Sequence, residues 1–381
     1  MKLPDGWKET KIKDILSVPV QNGYSPVCQE NETGRWVLSL GALTGYSFNE
    51  SQIKAVPLNT KINNDFLPQY GDILISLSNT LDKVGRTAVF RDQVQNCFYP
   101  DLMMRFRIDE KIVIPDFLEK ILQSDIGRKY FESKAAGTSS SMVKINKAVI
   151  EDFNFIYPSI SEQKAIVDTL SVWDSMIEKT EKLIGEKEKL FNNIQKTLFG
   201  SISNNHKILL KIIADITKGT QLGKVDMLPE GKYQIINGCV SASGYTDSWN
   251  TSEYTITISE GGNSCGFVNF ITEKFWAGGH CYTLCVKNTE LINKYFLYWF
   301  LKFNEIEIMK LRVGSGLPNI QRKNLEQLEI PVCSLEEQSS IVHTLDVAQQ
   351  EIDLLRQLSD KYKLQKQGLM QKLLTGQWRI K

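Results

Sequence analysis

A long run of hydrophobic positions, spaced alternately three and four residues apart, lies between residues 158 and 202. This spacing is the a/d pattern of a heptad repeat, which places one apolar seam along a helix. Between Pro158 and Gly200 the only glycine is Gly185, and there is no proline. The pattern therefore predicts one long helix that must bury its seam against a partner. Its seam includes Ile166, Leu170, Trp173, Ile177 and Ile184.

The segment between residues 333 and 381 repeats this pattern at a constant offset. The start signals repeat as well, because Glu162-Gln163 returns as Glu337-Gln338. Two seam positions of this copy, Ser359 and Lys366, are polar. A constant offset along the seam and its flanks indicates an internal duplication, so we predict that the two helices pair with each other. The seam of the second copy includes Ile341, Leu345, Ile352, Leu355 and Leu369.

A segment of mixed character precedes each predicted helix. Alternating or β-rich runs predict strands at 36–40, 72–76, 87–90 and 102–107 in the first segment, and at 254–258, 266–270 and 282–286 in the second. Helical periodicity predicts helices at 117–131 and 292–309, and polar residues predict a flexible loop at 137–141. We expect two mixed α/β heads (1–157 and 203–332) and two long helices (158–202 and 333–381).

Composition narrows the class of protein. The chain of 381 residues is 42% hydrophobic and 23% charged, as in soluble globular proteins. Its net charge of +1 argues against a polybasic nucleic-acid binder but allows local basic loops. The start shows no signal peptide and no run is long enough to span a bilayer, so we expect a cytoplasmic protein.

We find no set of residues with the pattern of a catalytic or metal site. A phosphate-binding P-loop is absent, as is the Asn/Asp-Pro-Pro-Tyr motif of adenine methyltransferases. His280-Cys281 and Cys285 lack a CxxC pair, so we expect no zinc site. Neighbouring residues of a strand also point to opposite faces, which argues against a Cys/His nucleophile at His280-Cys281. We therefore expect no cofactor, no metal and no catalytic residue in this chain.

Polar loops between the predicted strands offer groups that can contact DNA. In the loop from Ser76 to Arg86, asparagine can bond adenine in two places and arginine or lysine can bond guanine, while hydroxyl groups suit phosphates. For any one of these residues the alternative is a solvated surface turn. The candidate DNA-binding residues are Asn79, Thr80, Lys83, Arg86, Ser139, Ser140, Lys144, Lys218, Asn263, Ser264 and Ser315.

Three segments carry a resemblance to a known family. They are Ile320-Gln-Arg-Lys-Asn-Leu-Glu-Gln-Leu-Glu-Ile-Pro331, Gly368-Leu-Met-Gln-Lys-Leu-Leu-Thr-Gly376 and Phe275-Trp-Ala-Gly-Gly-His-Cys-Tyr-Thr-Leu284. With the duplicated helices, the chain resembles the specificity (S) subunit of a type I restriction–modification system. The resemblance implies an α+β fold in which two target-recognition domains are separated by two long helices. These helices would form an antiparallel coiled coil with an internal pseudo-twofold repeat.

The resemblance also implies a function and partners. Each head would read one half of a bipartite, asymmetric target in double-stranded DNA, while the coiled coil would set the spacing and dock two methyltransferase subunits. S-adenosylmethionine would bind those subunits, and restriction/translocase subunits would use ATP and Mg²⁺. Two alternatives remain, namely a coiled-coil adaptor whose heads bind proteins and a nucleic-acid enzyme, which the missing motifs disfavour.

Overall fold

The two segments with the heptad pattern each form one long α-helix. The first long helix is Ile160–Ser201, of 42 residues, and the second long helix is Leu335–Leu373, of 39 residues. The structure is a computed structural model that describes residues 3–61, 63–139, 142–203, 206–238, 240–314 and 318–380. It divides into two units, one of Met1–Lys182 with Arg356–Lys381 and one of Leu183–Leu355, so each unit contains sections of both long helices.

The predicted seam is largely removed from solvent. The buried seam residues are Ile166, Leu170, Ile177, Ile341, Leu345 and Ile352. The half-buried ones are Trp173, Ile184, Leu355 and Leu369. The polar seam residues Ser359 and Lys366 are buried too, with 2% and 3% of their surfaces exposed.

Within the first unit the sections of the two long helices run antiparallel. The Trp173 ring packs edge-on against Tyr362, with ring centroids 6.0 Å apart. Lys366 Nζ binds Asp174 Oδ1, whereas Glu181 Oε1, further along the first long helix, lies 2.7 Å from Nζ of the earlier residue Lys363. In the second unit Lys187 Nζ lies 2.7 Å from Glu351 Oε1.

Where the structure describes it, the first head combines twelve strands with three short α-helices. Its strands are β1 Lys8–Lys11, β2 Leu16–Asn22, β3 Trp36–Leu38, β4 Ile53–Ala55, β5 Ile73–Ser76, β6 Ser78–Asn79, β7 Thr87–Val89, β8 Cys97–Phe98, β9 Met103–Ile108, β10 Ala136–Ser139, β11 Met142–Lys144 and β12 Asn154–Tyr157. Its α-helices are α1 Pro115–Gln123, α2 Asp125–Lys134 and α3 Lys147–Glu151, and its 3-10 helices are Ile12–Ile15, Leu40–Ala42 and Asn64–Phe66.

The second head contains nine strands and four short helices among its described residues. Its strands are β13 Lys207–Leu209, β14 Ala214–Lys218, β15 Tyr233–Ile236, β16 Tyr245–Thr246, β17 Thr255–Ser259, β18 Val268–Ile271, β19 Trp276–Ala277, β20 Cys281–Val286 and β21 Glu329–Pro331. Its α-helices are α4 Leu210–Ile213, α5 Lys294–Phe303, α6 Glu305–Lys310 and α7 Arg322–Glu326, and Lys224–Asp226 is a 3-10 helix.

Three sheets have the same topology in both heads, and in the described ranges the first head has one more, β10-β11-β6. An antiparallel sheet has the order β2-β9-β5-β7 in the first head and β14-β20-β17-β18 in the second. A mixed sheet follows, β4-β3-β8 and β16-β15-β19, in which the last pair is parallel both times. The first and last strands of each head in sequence also pair, β1 with β12 and β13 with β21. The duplication seen in the helices therefore extends through both heads.

Two of the predicted helices are interrupted. The helix predicted at 117–131 is divided into α1 and α2 at Ser124, whose backbone is extended (φ −70°, ψ 169°). Its hydroxyl donates to the carbonyl of Ile121 at 2.6 Å, which competes with continuation of the helix. The helix predicted at 292–309 is likewise divided into α5 and α6 at Asn304.

The polar segment 137–141, predicted as a flexible loop, begins as strand β10 instead. Ala136 pairs with Lys144 and Ser139 with Met142 across an antiparallel hairpin. A Cβ atom on Gly137 would lie 2.8 Å from the carbonyl oxygen of Met142, so a glycine permits this close approach. Ser140 and Ser141 lie outside the described residues.

The glutamine of the repeated Glu-Gln motif joins each long helix to its head. Gln163 is fully buried, and its Oε1 accepts from the backbone N–H of Ile114 at 2.9 Å. Its Nε2 donates to the carbonyls of Ile112 at 3.1 Å and Pro158 at 2.9 Å. One side chain thus satisfies three backbone groups where α1 begins.

Gln338 makes the same three bonds at the start of α5. Its Oε1 accepts from the N–H of Asn293 at 2.7 Å, and its Nε2 donates to Leu291 and Cys333 carbonyls at 3.0 and 2.9 Å. The motif recurs in the sequence because both heads are attached to their helices in the same way.

We expect Gln163→Leu to lower the free energy of unfolding by about 2–4 kcal/mol, because it leaves buried backbone groups unpaired. Gln338→Leu should cost a similar amount in the second unit. Denaturant unfolding followed by circular dichroism measures both. Gln357→Leu, at an exposed position of the second long helix, is the control. The expectation would be contradicted if Gln163→Leu and Gln338→Leu lowered the free energy of unfolding no more than Gln357→Leu does.

Candidate nucleic-acid interface

In the first head, the loop between β5 and β7 is built on a network of short-range hydrogen bonds. Asn79 Oδ1 accepts from the N–H of Thr80 at 2.9 Å, and the Thr80 hydroxyl donates to Asp82. The Thr80 hydroxyl lowers the pKa of the Asp82 carboxyl. Gly85 has φ of 73°, and a Cβ atom on it would lie 2.6 Å from the Phe131 ring. The loop is therefore fixed against the core at Gly85.

The hairpin of β10 and β11 lies beside this loop. β11 pairs with β6, which places Lys144 opposite Ser78 and Val143 opposite Asn79. Lys144 and Lys83 are exposed, whereas Asn79 is half-buried. The candidates Asn79 and Lys144 are thus brought together on neighbouring strands.

Arg86 occupies a different setting from the other candidates of this loop. Its side chain is 27% exposed, and its Nη2 lies 3.8 Å from Asp82 Oδ2. It lines a cleft with Tyr46, Arg128 and Lys363, the last of which lies on the second long helix. Arg86 therefore lies on the side of the loop that is next to the second long helix. Ser139 lies in β10, and Ser140 lies outside the described residues.

Two of the four candidate DNA-binding residues in the second head form bonds within that head. Lys218 ends β14 and forms an ion pair with Glu260. Ser264 donates its hydroxyl hydrogen to the carbonyl of Gly238, while Asn263 is exposed. Ser315 lies outside the described residues.

Two residues of this region, Glu260 and His280, escaped the sequence-based selection. His280 Nδ1 lies 3.2 Å from Glu260 Oε2, and the Tyr282 hydroxyl donates to Glu260 Oε1 at 3.2 Å. Burial disfavours the charged Glu260, but hydrogen bonds from Lys218, His280 and Tyr282 lower its pKa below the usual value. Burial, with the nearby charge of Glu260, raises the pKa of Tyr282 to about 12. Glu260 is therefore an ionised acceptor shared by three side chains.

The chain contains one Gly-x-Ser-x-Gly match, at Gly262-Asn-Ser-Cys-Gly266. A nucleophile elbow requires a turn from a strand into a helix. Here the segment joins the antiparallel strands β17 and β18, and the Ser264 hydroxyl donates to a backbone carbonyl. Burial also raises the pKa of the Cys281 thiol to about 12, far above the range of a reactive thiolate. Neither residue is set up as a nucleophile.

The described residues contain neither a metal-binding cluster nor a membrane-spanning helix. In those ranges no three or more His, Cys, Asp or Glu side chains are grouped so that they could hold a metal ion. The described helices include none that combines the length and apolar character needed to cross a membrane.

This chain is similar to known proteins in sequence and in fold. The family model described as the type I restriction modification DNA specificity domain matches residues 4–187 and 204–363. The chain therefore belongs to the type I restriction–modification DNA specificity family.

Two relatives of this chain have the names of type I specificity subunits. A putative type I specificity subunit from Mycoplasma pneumoniae is 35% identical over 174 residues, which is 45% of this chain and 46% of that protein. This match thus spans about half the length of that relative. A putative type I restriction enzyme specificity subunit from Methanocaldococcus jannaschii is 24% identical over 417 residues, covering 100% of this chain and 95% of that protein.

A solved structure has the same fold. The crystal structure of the S subunit of a type I restriction–modification system from M. genitalium superposes with a TM-score of 0.66. The sequence identity is 20%, and the match covers 98% of each chain. The expected architecture of two mixed heads and long helices is confirmed.

Proposed function

We propose that this chain is the DNA-recognition subunit of a type I restriction–modification complex. Each head, residues 1–157 and residues 203–332, reads one half of a bipartite, asymmetric target. The observation that carries the proposal is one arrangement of three sheets built twice in a single chain, with different exposed side chains beside corresponding strands. The first head presents Lys83 in a loop and Lys144 at the end of β11, and the second presents Asn263 in a loop.

The coiled coil sets the separation of the two half-sites in this proposal. At 1.5 Å per residue, a helix of 42 residues is about 63 Å long. It also docks two methyltransferase subunits. Exposed aliphatic side chains support docking where they cluster, as Leu190 and Val347 do in one groove between the long helices of the second unit. Further aliphatic residues more than half exposed on the long helices are Val172, Leu354 and Leu364.

The chemistry belongs to the partner subunits in this proposal. The methyltransferase subunits bind S-adenosylmethionine and methylate adenine, and restriction/translocase subunits use ATP and Mg²⁺ in the cytoplasm. The internal bonds of Ser264 and the burial of Cys281 support a non-catalytic role for this chain.

Cells that contain this chain and its methyltransferase subunit are expected to carry adenine methylation in one bipartite, asymmetric motif. Methylome sequencing maps that motif. The control is the same strain with only this chain deleted, in which the motif should be lost. Methylation that persists in the deletion strain, or that occurs in a contiguous palindrome, would contradict the proposed function.

A further inference from the structure

Lys218 and His280 of the second head share one carboxylate, that of Glu260. Lys218 forms an ion pair with Glu260 Oε1, and His280 Nδ1 lies 3.2 Å from Glu260 Oε2. The side chains of Lys218 and His280 are 50% and 63% exposed, whereas that of Glu260 is 14% exposed. We infer that Lys218 and His280 contact the DNA of the second half-site and that Glu260 positions them. This inference rests on the proposed function.

The backbone around Glu260 holds its carboxylate in place. Its N–H donates to the carbonyl of His280 at 2.9 Å, and its carbonyl accepts from the N–H of Ile320 at 2.8 Å. Because an ionised carboxylate is acceptor-only, the hydrogen in the His280 contact lies on Nδ1. The other ring nitrogen, Nε2, consequently points away from Glu260.

His280 is held from a second side as well. Its N–H donates to Asn237 Oδ1 at 3.1 Å. Gly238 has φ of 74°, and a Cβ atom on it would lie 2.5 Å from the carbonyl oxygen of His280. The structure thus fixes the backbone of a residue whose ring faces solvent.

The first head has the same backbone arrangement without these charges. The N–H of Leu77 donates to the carbonyl of Leu102 at 2.8 Å, as that of Glu260 donates to His280. The carbonyl of Leu77 accepts from Ile145 at 3.0 Å, where that of Glu260 accepts from Ile320. Leu77 and Leu102 therefore correspond to Glu260 and His280.

Lys218 has a counterpart too. β2 ends at Asn22 and β14 ends at Lys218, and each is followed by a glycine, Gly23 or Gly219, whose N–H donates to the adjacent strand. The scaffold therefore folds with Asn, Leu and Leu at these positions in the first head. Since a head of this topology folds without Lys218, Glu260 and His280, we attribute these three side chains to the recognition of DNA.

The exposed groups define the chemistry of the ligand. The Lys218 ammonium donates hydrogen bonds, and it suits a strong acceptor such as the O6/N7 edge of guanine or a phosphate oxygen. His280 adds a second polar group beside it. The carboxylate of Glu260 limits the rotation of both side chains, so the pair presents a fixed spacing to the duplex.

The test uses the full chain in complex with its methyltransferase subunits. A triple variant, Lys218→Asn with Glu260→Leu and His280→Leu, carries the side chains of the first head at the corresponding positions. It is therefore expected to fold. Lys218→Ala and His280→Ala are the single variants. Binding is measured on duplex oligonucleotides that carry the motif methylated by the unmodified complex, with each position of the second half-site substituted in turn.

We expect Lys218→Ala and the triple variant to weaken binding by about 5- to 100-fold. If a variant no longer distinguishes the bases at one position of the second half-site, the replaced side chain contacts a base at that position. If a variant binds all sequences more weakly by the same factor, and its salt dependence falls by about one phosphate contact, the replaced side chain contacts a phosphate. Both results support the inference and distinguish the two sources of the acceptor.

The positioning role of Glu260 has its own readout. Glu260→Gln should weaken binding in the unmodified chain, but it should have no further effect once Lys218 and His280 are replaced. A merely structural role would lower the thermal midpoint by the same amount in both backgrounds. Lys287→Ala is the matched control, because Lys287 is an exposed lysine 3.0 Å from Asp215 at the opposite end of the same sheet.

A folded triple variant that binds with unchanged affinity, sequence preference and salt dependence would overturn the inference. An unmodified complex that fails to bind DNA at all would instead contradict the proposed function. The two failures are thus distinguishable.

Discussion

Replacing Asp174 with alanine is expected to lower the free energy of unfolding by about 3–5 kcal/mol, because it leaves two buried ammonium groups without their shared partner. Asp174 lies on the first long helix, next to the seam residue Trp173. Lys120 Nζ of α1 lies 2.7 Å from Asp174 Oδ2, and Lys366 Nζ of the second long helix binds Asp174 Oδ1. The two lysine side chains are only 7% and 4% exposed.

These residues belong to a larger network within the first unit. Its members are Asp116, Arg91, Glu119, Lys120, Asp174 and Lys366. Three carboxylates balance three cations, so the network, which reaches solvent at Arg91 and Asp116, is neutral as a whole. Burial lowers the pKa of Lys366, although Asp174 opposes that shift. Burial also acts against the charged Lys120, but Glu119 and Asp174 raise its pKa.

Two further variants separate this explanation from a general effect on the helix. Glu178→Ala changes an exposed carboxylate one turn later and is expected to cost little. Lys366→Met removes one cation but leaves the pair of Lys120 and Asp174, so its effect should be smaller than that of Asp174→Ala. Equilibrium unfolding in denaturant measures all three. Equal losses in Asp174→Ala and Glu178→Ala would contradict the role assigned to the network.

The heptad pattern was sufficient to predict the long helices, because a seam and a helix both depend on residues close in sequence. It also identified Lys366 as a polar seam residue. It could not identify Asp174 and Lys120 as its partners, since Asp174 lies beside the seam and Lys120 belongs to a head. The break at Ser124 was missed for a related reason, because hydrophobic periodicity continues across it while a side-chain hydrogen bond ends the helix.

The candidate site was only partly predictable. Loop composition pointed to Lys83 and Lys144, which the structure leaves exposed. Composition gave no sign that Arg86 lies beside Asp82, 3.8 Å away. Lys218, Glu260 and His280 lie far apart in the sequence, and pairing of β14, β17 and β20 brings them together. The signal that could have helped is the alignment of the two heads strand by strand.

Exchanging one head is expected to change one half of the recognised DNA and leave the other half unchanged. Each head has its own sheets, and each unit has its own hydrophobic core. Each head is also joined to its long helix by the same buried glutamine, Gln163 or Gln338. A replacement that keeps the glutamine and its backbone partners should therefore preserve folding while it replaces the loops that we propose to face DNA.

The direct measurement is the methylome of cells in which residues 203–332 are replaced by the corresponding head of another specificity subunit. The control is the reciprocal exchange of residues 1–157 in the same chain. We predict that each exchange alters a different half-site, while the other half-site and the adenine methylation remain. If both half-sites changed together in a single exchange, or neither changed in a folded and active complex, the heads would not be independent readers of DNA.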